Sequence, residues 1–165
     1  MIRAILFDLD GTLLPVDDNF FFGRYLHEIS QVIPGRTQEQ VAQAIYAALR
    51  DVMREAEPTA TVEQRFSGSL ARHLEMPFIE QEPHFLRYYM EEFPKLAETL
   101  SPVPQVRAAL DAAKARGIRT VLATNPVFPG VATRERMRWA GLRAEDFEMV
   151  TFYEDCRYTK PHLAY

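Results

Sequence analysis

The sequence FDLDGTL, residues 7–13, decides how the rest of the chain is read. It overlaps the end of an apolar run, residues 3–9 (RAILFDL), which Gly11 closes. A short apolar run bounded by a glycine turn is typical of a strand buried on both faces of a sheet. We therefore predict a buried first strand whose carboxyl end carries two acids, Asp8 and Asp10.

Residues 18–100 have helical periodicity. Four stretches carry apolar residues at the spacing of one helix face, and capping-box patterns precede two of them, at Thr37 with Gln40 and at Thr61 with Gln64. The four apolar sets are Phe22, Tyr25, Leu26, Ile29, Ile33; Val41, Ala44, Ile45, Ala48, Leu49, Val52, Met53; Val62, Phe66, Leu70, Leu74; and Phe85, Leu86, Tyr89, Met90, Phe93. Four consecutive amphipathic helices predict a helical bundle, too long to be a loop.

From residue 101 onward, helices alternate with strands. Pro102 and Pro104 open a helix that Gly117 ends. Strand-like segments at 118–123 (IRTVLA) and 147–152 (FEMVTF) flank a helical segment at 130–140. This alternation predicts βαβ units and a parallel sheet.

The predicted fold class is therefore α/β. A Rossmann-like parallel sheet forms the core, and an all-helical cap is inserted after the first strand. We assign residues 1–15 and 101–165 to the core and residues 16–100 to the cap.

Composition and charge exclude several classes of protein. With 47% hydrophobic and 25% charged residues the chain is globular rather than disordered. The net charge is only −4 and the basic residues are scattered, so no nucleic-acid or membrane patch is expected. The single cysteine, Cys156, allows no intrachain disulfide and favours a reducing compartment. No signal peptide or membrane span is apparent, so we expect a soluble, cytoplasmic protein.

Polar side chains follow each predicted strand. Asp8 and Asp10 follow the first, Thr124 and Asn125 the second, and Lys160 lies a short loop past the third. Ligands bind beyond the carboxyl ends of parallel strands, so we expect these groups around one crevice. Two carboxylates can hold a hard cation such as Mg²⁺. A carboxylate can attack phosphorus, a second can transfer the proton, and a hydroxyl and an ammonium can bind phosphoryl oxygens.

The same residues resemble the motifs of a known family. FDLDGTL resembles the first motif of the haloacid dehalogenase (HAD) superfamily. Thr124, directly after an apolar strand, is similar to the second motif, and Lys160 followed by Pro161 is similar to the third. Their order, with a helical insertion between the first and second, resembles members that carry a C1-type cap.

This resemblance implies a role for each residue. Asp8 is expected to be the nucleophile and a metal ligand. Asp10 is expected to be the general acid/base and to bind the metal through its backbone carbonyl. Thr124, with Asn125 beside it, is expected to bind phosphate, and Lys160 to orient both the nucleophile and the phosphate. Asp10 favours phosphoryl chemistry, because dehalogenating members of the family lack an acid there.

The implied function is that of a Mg²⁺-dependent phosphomonoester hydrolase. It would act through an aspartyl-phosphate on a small phosphorylated metabolite. Two alternatives stay open: a phosphomutase of the same superfamily, and a non-catalytic interaction protein on the same scaffold. The specific substrate and the oligomeric state do not follow from the sequence.

The family's fourth motif has no counterpart in these residues. It is an acidic loop after a fourth strand, whereas here Lys160 is followed only by residues to Tyr165. We therefore expect a fragment of a longer gene product, with the C-terminal strands of the core missing. A weaker alternative is that Glu154 or Asp155 helps at the site in place of the missing acidic loop.

We predict that residues 1–165, produced on their own, have weak or absent phosphatase activity, because the metal lacks an anionic ligand. The measurement is hydrolysis of p-nitrophenyl phosphate with Mg²⁺. Turnover by this chain that the substitution Asp8→Asn abolishes would contradict the expectation.

Overall fold

The computed structural model describes residues 2–54, 57–100 and 102–165, without the side chains of residues 18–20, 98 and 99. The strands and helices follow one another in the order that the sequence predicts. The elements are β1 (Ala4–Phe7), α1 (Asp18–Ile29), α2 (Gln38–Arg54), α3 (Val62–Leu74), α4 (Phe78–Glu91), α5 (Pro104–Ala115), β2 (Arg119–Leu122), α6 (Gly130–Trp139) and β3 (Met149–Val150). Short 3-10 helices cover Phe93–Thr99 and Ala144–Asp146.

The strands form a parallel sheet in the order β1-β2-β3. Phe7 is in register with Leu122, and Leu122 is in register with Val150. Because all three strands run the same way, their carboxyl ends lie at one edge of the sheet. The prediction of an α/β fold with a parallel sheet and a helical cap is confirmed.

Two strand predictions are wrong in detail. β1 is shorter than residues 3–9 and is not buried on both faces: the Leu6 side chain is 66% exposed. Leu6 shares one row of the sheet with Val121 and Met149, so these side chains lie on the same face, and Met149 is 56% exposed as well. β3 is also shorter than residues 147–152, because only Met149 and Val150 pair with β2.

The helical insertion between β1 and β2 forms as predicted, and both capping boxes are present. Thr61 Oγ1 accepts from the Gln64 amide at 3.2 Å while the Gln64 side chain accepts from the Thr61 amide at 2.9 Å. Thr37 and Gln40 make the same exchange at 3.2 and 2.8 Å. These bonds satisfy amide groups that the first turn of a helix leaves without partners. Among the described residues no helix combines the length and apolar character needed to cross a membrane.

Aromatic side chains join the insertion to the core. Phe93 stacks on Trp139 of α6 with ring centroids 5.0 Å apart. Tyr25 of α1 lies 5.1 Å from Phe128, which belongs to the loop after β2. The insertion therefore packs beside the carboxyl edge of the sheet. The boundaries at residues 15 and 100 stay predictions, and Ser101 lies outside the described residues.

A salt bridge ties the segment before β3 to α5. Arg107 donates through both terminal nitrogens to Asp146, at 2.6 and 2.8 Å, and the Arg143 amide donates to the same carboxylate at 2.9 Å. The Asp146 side chain is only 12% exposed. The hydrogen bond from Arg107 lowers the pKa of Asp146 well below its usual range.

A lowered pKa in the folded state means that this carboxylate stabilises the fold when it is ionised. Its contribution is present above the unfolded pKa of about 3.9 and is lost as the pH falls toward the folded value. We expect Asp146→Asn to lower the free energy of unfolding by about 2 kcal/mol at neutral pH, as for hydrogen bonds to charged groups. The difference from wild type should shrink below about pH 4.

Urea denaturation between pH 7 and pH 2 measures this difference. Glu145→Gln is the matched control, since Glu145 is an exposed neighbour in the same 3-10 helix. A difference between wild type and Asp146→Asn that does not change with pH would contradict the prediction.

Candidate active site

Asp8 and Lys160 meet at the carboxyl edge of the sheet. Asp8 directly follows β1, and the amide of Ala123, just past β2, donates to the Phe7 carbonyl at 2.8 Å. Thr124 is the next residue after Ala123 and is 2% exposed. Lys160, 152 residues from Asp8, donates from Nζ to Asp8 Oδ1 at 2.9 Å. The predicted convergence of these strand ends is therefore present in the fold.

The segment around Lys160 is tied to the end of β2. The Lys160 amide donates to Asn125 Oδ1 at 3.0 Å. The hydroxyls of Tyr165 and Thr151 both donate to the Thr124 carbonyl, at 2.8 and 2.7 Å. Asn125 therefore holds the backbone that presents the Lys160 ammonium. Its expected contact with phosphate stays a prediction.

A tight turn follows Asp8. The Leu14 amide donates to the Leu9 carbonyl at 2.8 Å, and the Gly11 amide donates back to the Leu14 carbonyl at 2.9 Å. Gly11 has φ of 68°, a left-handed conformation that favours glycine. Leu9 and Leu14 are fully buried. These buried leucines anchor the turn, and it carries Asp10 between them.

Asp10 has a partner that the sequence analysis missed. Arg136 of α6, 126 residues away, donates from Nη1 to Asp10 Oδ2. Arg136 is fully buried, although arginine is rarely so. It lies four residues after Ala132 and one before Met137, both fully buried. The sequence signal that could have revealed this partner is a charged residue, Arg136, on the apolar face of the helix predicted at 130–140.

The Arg136 guanidinium is restrained on several sides. Nη2 donates to Thr133 Oγ1 at 3.2 Å, and Nε donates to the Ala132 carbonyl at 3.4 Å. The guanidinium carbon lies 4.2 Å from the centre of the Phe128 ring. By contrast, Asp10 Oδ1 is buried and has no hydrogen-bond partner among the described residues.

Glu154 supports the start of α6. Its Oε1 accepts from the Gly130 amide at 2.7 Å. A Cβ at position 130 would come within 3.1 Å of the Glu154 carboxylate, so glycine permits this approach. An acid at a helix N-terminus is favourable because the first amides lack partners. The described contact of Glu154 is thus with the helix that carries Arg136.

An apolar cavity of about 50 Å³ lies between the insertion and the loop after β2. Its walls are uncharged side chains, among them Tyr25, Ile45, Phe66, Tyr89, Phe128 and Tyr153. The hydroxyls of Tyr25 and Tyr89 lie 2.7 Å apart in a hydrogen bond, and burial raises the pKa of Tyr25 to about 12. The cavity is much smaller than the roughly 150 Å³ that accommodates benzene. In this conformation it has room for only small groups.

Comparison with known proteins identifies the family. The model of the haloacid dehalogenase-like hydrolases matches residues 2–164. The chain belongs to this family. No curated protein sequence matches it.

Two solved structures resemble this haloacid dehalogenase-like chain. CbbY from Rhodobacter sphaeroides, in complex with xylulose-(1,5)bisphosphate, has 19% identity and a TM-score of 0.51, over 98% of this chain and 68% of its own. A predicted phosphoglycolate phosphatase from Haemophilus somnus 129PT has 19% identity and a TM-score of 0.49, over 99% of this chain and 68% of its own. The likeness to CbbY supports the same fold.

The donor set of this haloacid dehalogenase-like site fits Mg²⁺. Magnesium in proteins is commonly held by one or two carboxylates together with water and substrate phosphate. Asp8 provides such a carboxylate: its side chain is 45% exposed, and Lys160 engages only one of its oxygens among the described residues. No group of three or more His, Cys, Asp or Glu side chains that could hold a metal occurs in the described part of the chain. The arrangement therefore suits a metal that shares its coordination sphere with a phosphate.

Proposed function

We propose that this haloacid dehalogenase-like chain carries the catalytic groups of a Mg²⁺-dependent phosphomonoester hydrolase. The observation that supports it best is the contact of Lys160 Nζ with Asp8 Oδ1 at 2.9 Å. A carboxylate beside an ammonium, half-exposed at the edge of a parallel sheet, is a suitable nucleophile for an anionic phosphate. The ammonium offsets the repulsion between carboxylate and phosphate.

The proposed reaction has two steps. In the first, an Asp8 oxygen attacks phosphorus, the bond from phosphorus to the leaving oxygen breaks, and Asp10 gives its proton to that oxygen. In the second, water attacks the phosphorus of the aspartyl-phosphate while Asp10 takes a proton from the water. The bond between phosphorus and Asp8 then breaks, which releases inorganic phosphate and regenerates both acids.

The other residues bind and orient the transferred group. Lys160 and the Thr124 hydroxyl would contact the phosphoryl oxygens, whose charge is spread in the transition state. Asn125 would keep Lys160 in place through its backbone amide. Asp8, through its carboxylate, and Asp10, through its backbone carbonyl, would hold Mg²⁺. The bound cation supplies positive charge that neutralises phosphate.

The substrate class that we propose is a small phosphorylated metabolite. CbbY, which shares this fold, was solved with xylulose-(1,5)bisphosphate bound. The uncharged cavity beside the loop after β2 offers no ionic partner for a second charged group. An organic group bound in this cavity would therefore have to be small and uncharged.

The nucleophile is tested with Asp8→Asn in the full-length protein. An amide cannot form the aspartyl-phosphate, so we expect release of phosphate from p-nitrophenyl phosphate with Mg²⁺ to fall by at least ~10³-fold, as is usual when a nucleophile is removed. Asp111→Asn is the matched control, because Asp111 is an exposed acid on α5. It should keep wild-type activity.

Labelling of the wild type and Asp8→Asn proteins separates the hydrolase from the phosphomutase and from a non-catalytic protein. Acid-stable labelling of the protein from a phosphorylated substrate, lost in Asp8→Asn, supports the covalent intermediate. Transfer of that label to a sugar hydroxyl instead of water would indicate a phosphomutase. Activity retained by Asp8→Asn, or a wild-type protein that is neither labelled nor active, would overturn the proposal.

A further inference from the structure

The ion pair between the buried Arg136 and the partly exposed Asp10 is the feature that the proposed function leaves unexplained. Burying a guanidinium is costly unless a charge partner and hydrogen bonds compensate it. Among the described residues, the carboxylate that pairs with Arg136 is Asp10, which comes from a different part of the chain. The Arg136 side chain is 1% exposed and that of Asp10 is 25% exposed.

The pair is asymmetric at the carboxylate. Arg136 engages Oδ2, whereas Oδ1 is buried and has no hydrogen-bond partner in the described part of the chain. A buried acceptor without a partner is unfavourable, and a pair that served only stability would be expected to satisfy both oxygens. Arg136 thus holds one oxygen in place, and the unsatisfied second oxygen indicates that the pair is not arranged for stability alone.

The guanidinium that binds Asp10 Oδ2 is itself restrained. It is fixed by Thr133 Oγ1, by the Ala132 carbonyl and by the ring of Phe128. A planar guanidinium has a fixed fork of donors, so restraining it restrains the direction in which it donates. The orientation of the Asp10 carboxylate therefore depends on α6.

We propose that Arg136 is a positioning residue for Asp10. It holds Oδ2 and so fixes the orientation in which the Asp10 carboxyl group gives a proton to the leaving oxygen and later takes one from water. This inference rests on the proposed function. The inference adds to the proposed function a residue on α6 that acts on proton transfer by Asp10. This residue contacts neither phosphorus nor the nucleophile Asp8.

A role in proton transfer predicts a dependence on the leaving group. p-Nitrophenolate is a stable anion and leaves phosphorus without a proton. The alkoxide that leaves an alkyl phosphate such as glycerol 2-phosphate needs one. A misplaced Asp10 therefore slows transfer of the phosphoryl group from the alkyl phosphate to Asp8 far more than transfer from p-nitrophenyl phosphate.

The test compares kcat/KM for these two substrates in the full-length protein. This ratio reports the steps up to the departure of the leaving group and does not include the later hydrolysis of the aspartyl-phosphate, which both substrates share. We expect Arg136→Lys and Arg136→Met to lower kcat/KM for glycerol 2-phosphate by ~10²-fold or more, the usual scale of general acid catalysis. For p-nitrophenyl phosphate the loss of kcat/KM should be under ~10-fold, because the general acid contributes little to the departure of p-nitrophenolate.

Two controls separate positioning from a general structural effect. Arg138→Met changes an exposed arginine two residues along α6 that pairs with Glu135, and it should leave both rates unchanged. In an Asp10→Asn background, Arg136→Lys should lower the rate for glycerol 2-phosphate no further, because the two residues act as one unit.

Thermal unfolding followed by circular dichroism shows which variants fold. If neither Arg136 variant folds, Thr133→Val removes one restraint on the guanidinium and must show the same selective loss with the alkyl phosphate. Equal losses of kcat/KM for both substrates in a folded variant would overturn the proposal, as would no loss of kcat/KM. A failure of the proposed function itself is distinct, since it would appear as a wild-type protein without Asp8-dependent turnover.

Discussion

The parallel register of β1 with β2 is the constraint on which the site depends. It places Phe7 opposite Leu122, so that Asp8 and Thr124 leave the sheet at the same edge. Lys160 reaches that edge from the far end of the chain, and its amide is held by Asn125. Were the two strands to slip by one residue, side chains would exchange faces of the sheet. The carboxylate and the ammonium would then no longer meet.

The helical insertion and the core are joined by aromatic packing close to this edge. Phe93 stacks on Trp139, and Tyr25 lies against Phe128. Phe128 has a second contact, with the guanidinium of Arg136. One ring thus lines the cavity under the insertion and also contacts the arginine that pairs with Asp10. The packing of the insertion and the placement of Asp10 therefore both depend on the Phe128 ring.

The two acids of the FDLDGTL segment have different surroundings although only Leu9 separates them. Asp8 is half-exposed and lies beside the Lys160 ammonium, which suits a group that must meet a substrate. Asp10 is held by a buried, rigid guanidinium, which suits a group that must keep one orientation. The difference arises because the turn at Gly11 points the second acid toward α6 while the first stays at the strand end.

The sequence by itself determined the order of elements, the four helices of the insertion and the acids at the end of β1. Those features follow from local periodicity, capping pairs and a glycine turn, which act over a few residues. The partner of Asp10, the anchoring role of Asn125 and the exposure of Leu6 were decided only by the tertiary structure. Arg136 and Asp10 are 126 residues apart, and no local pattern encodes which buried face a distant charge will meet. That contact exists because α6 packs its buried side against the turn after β1.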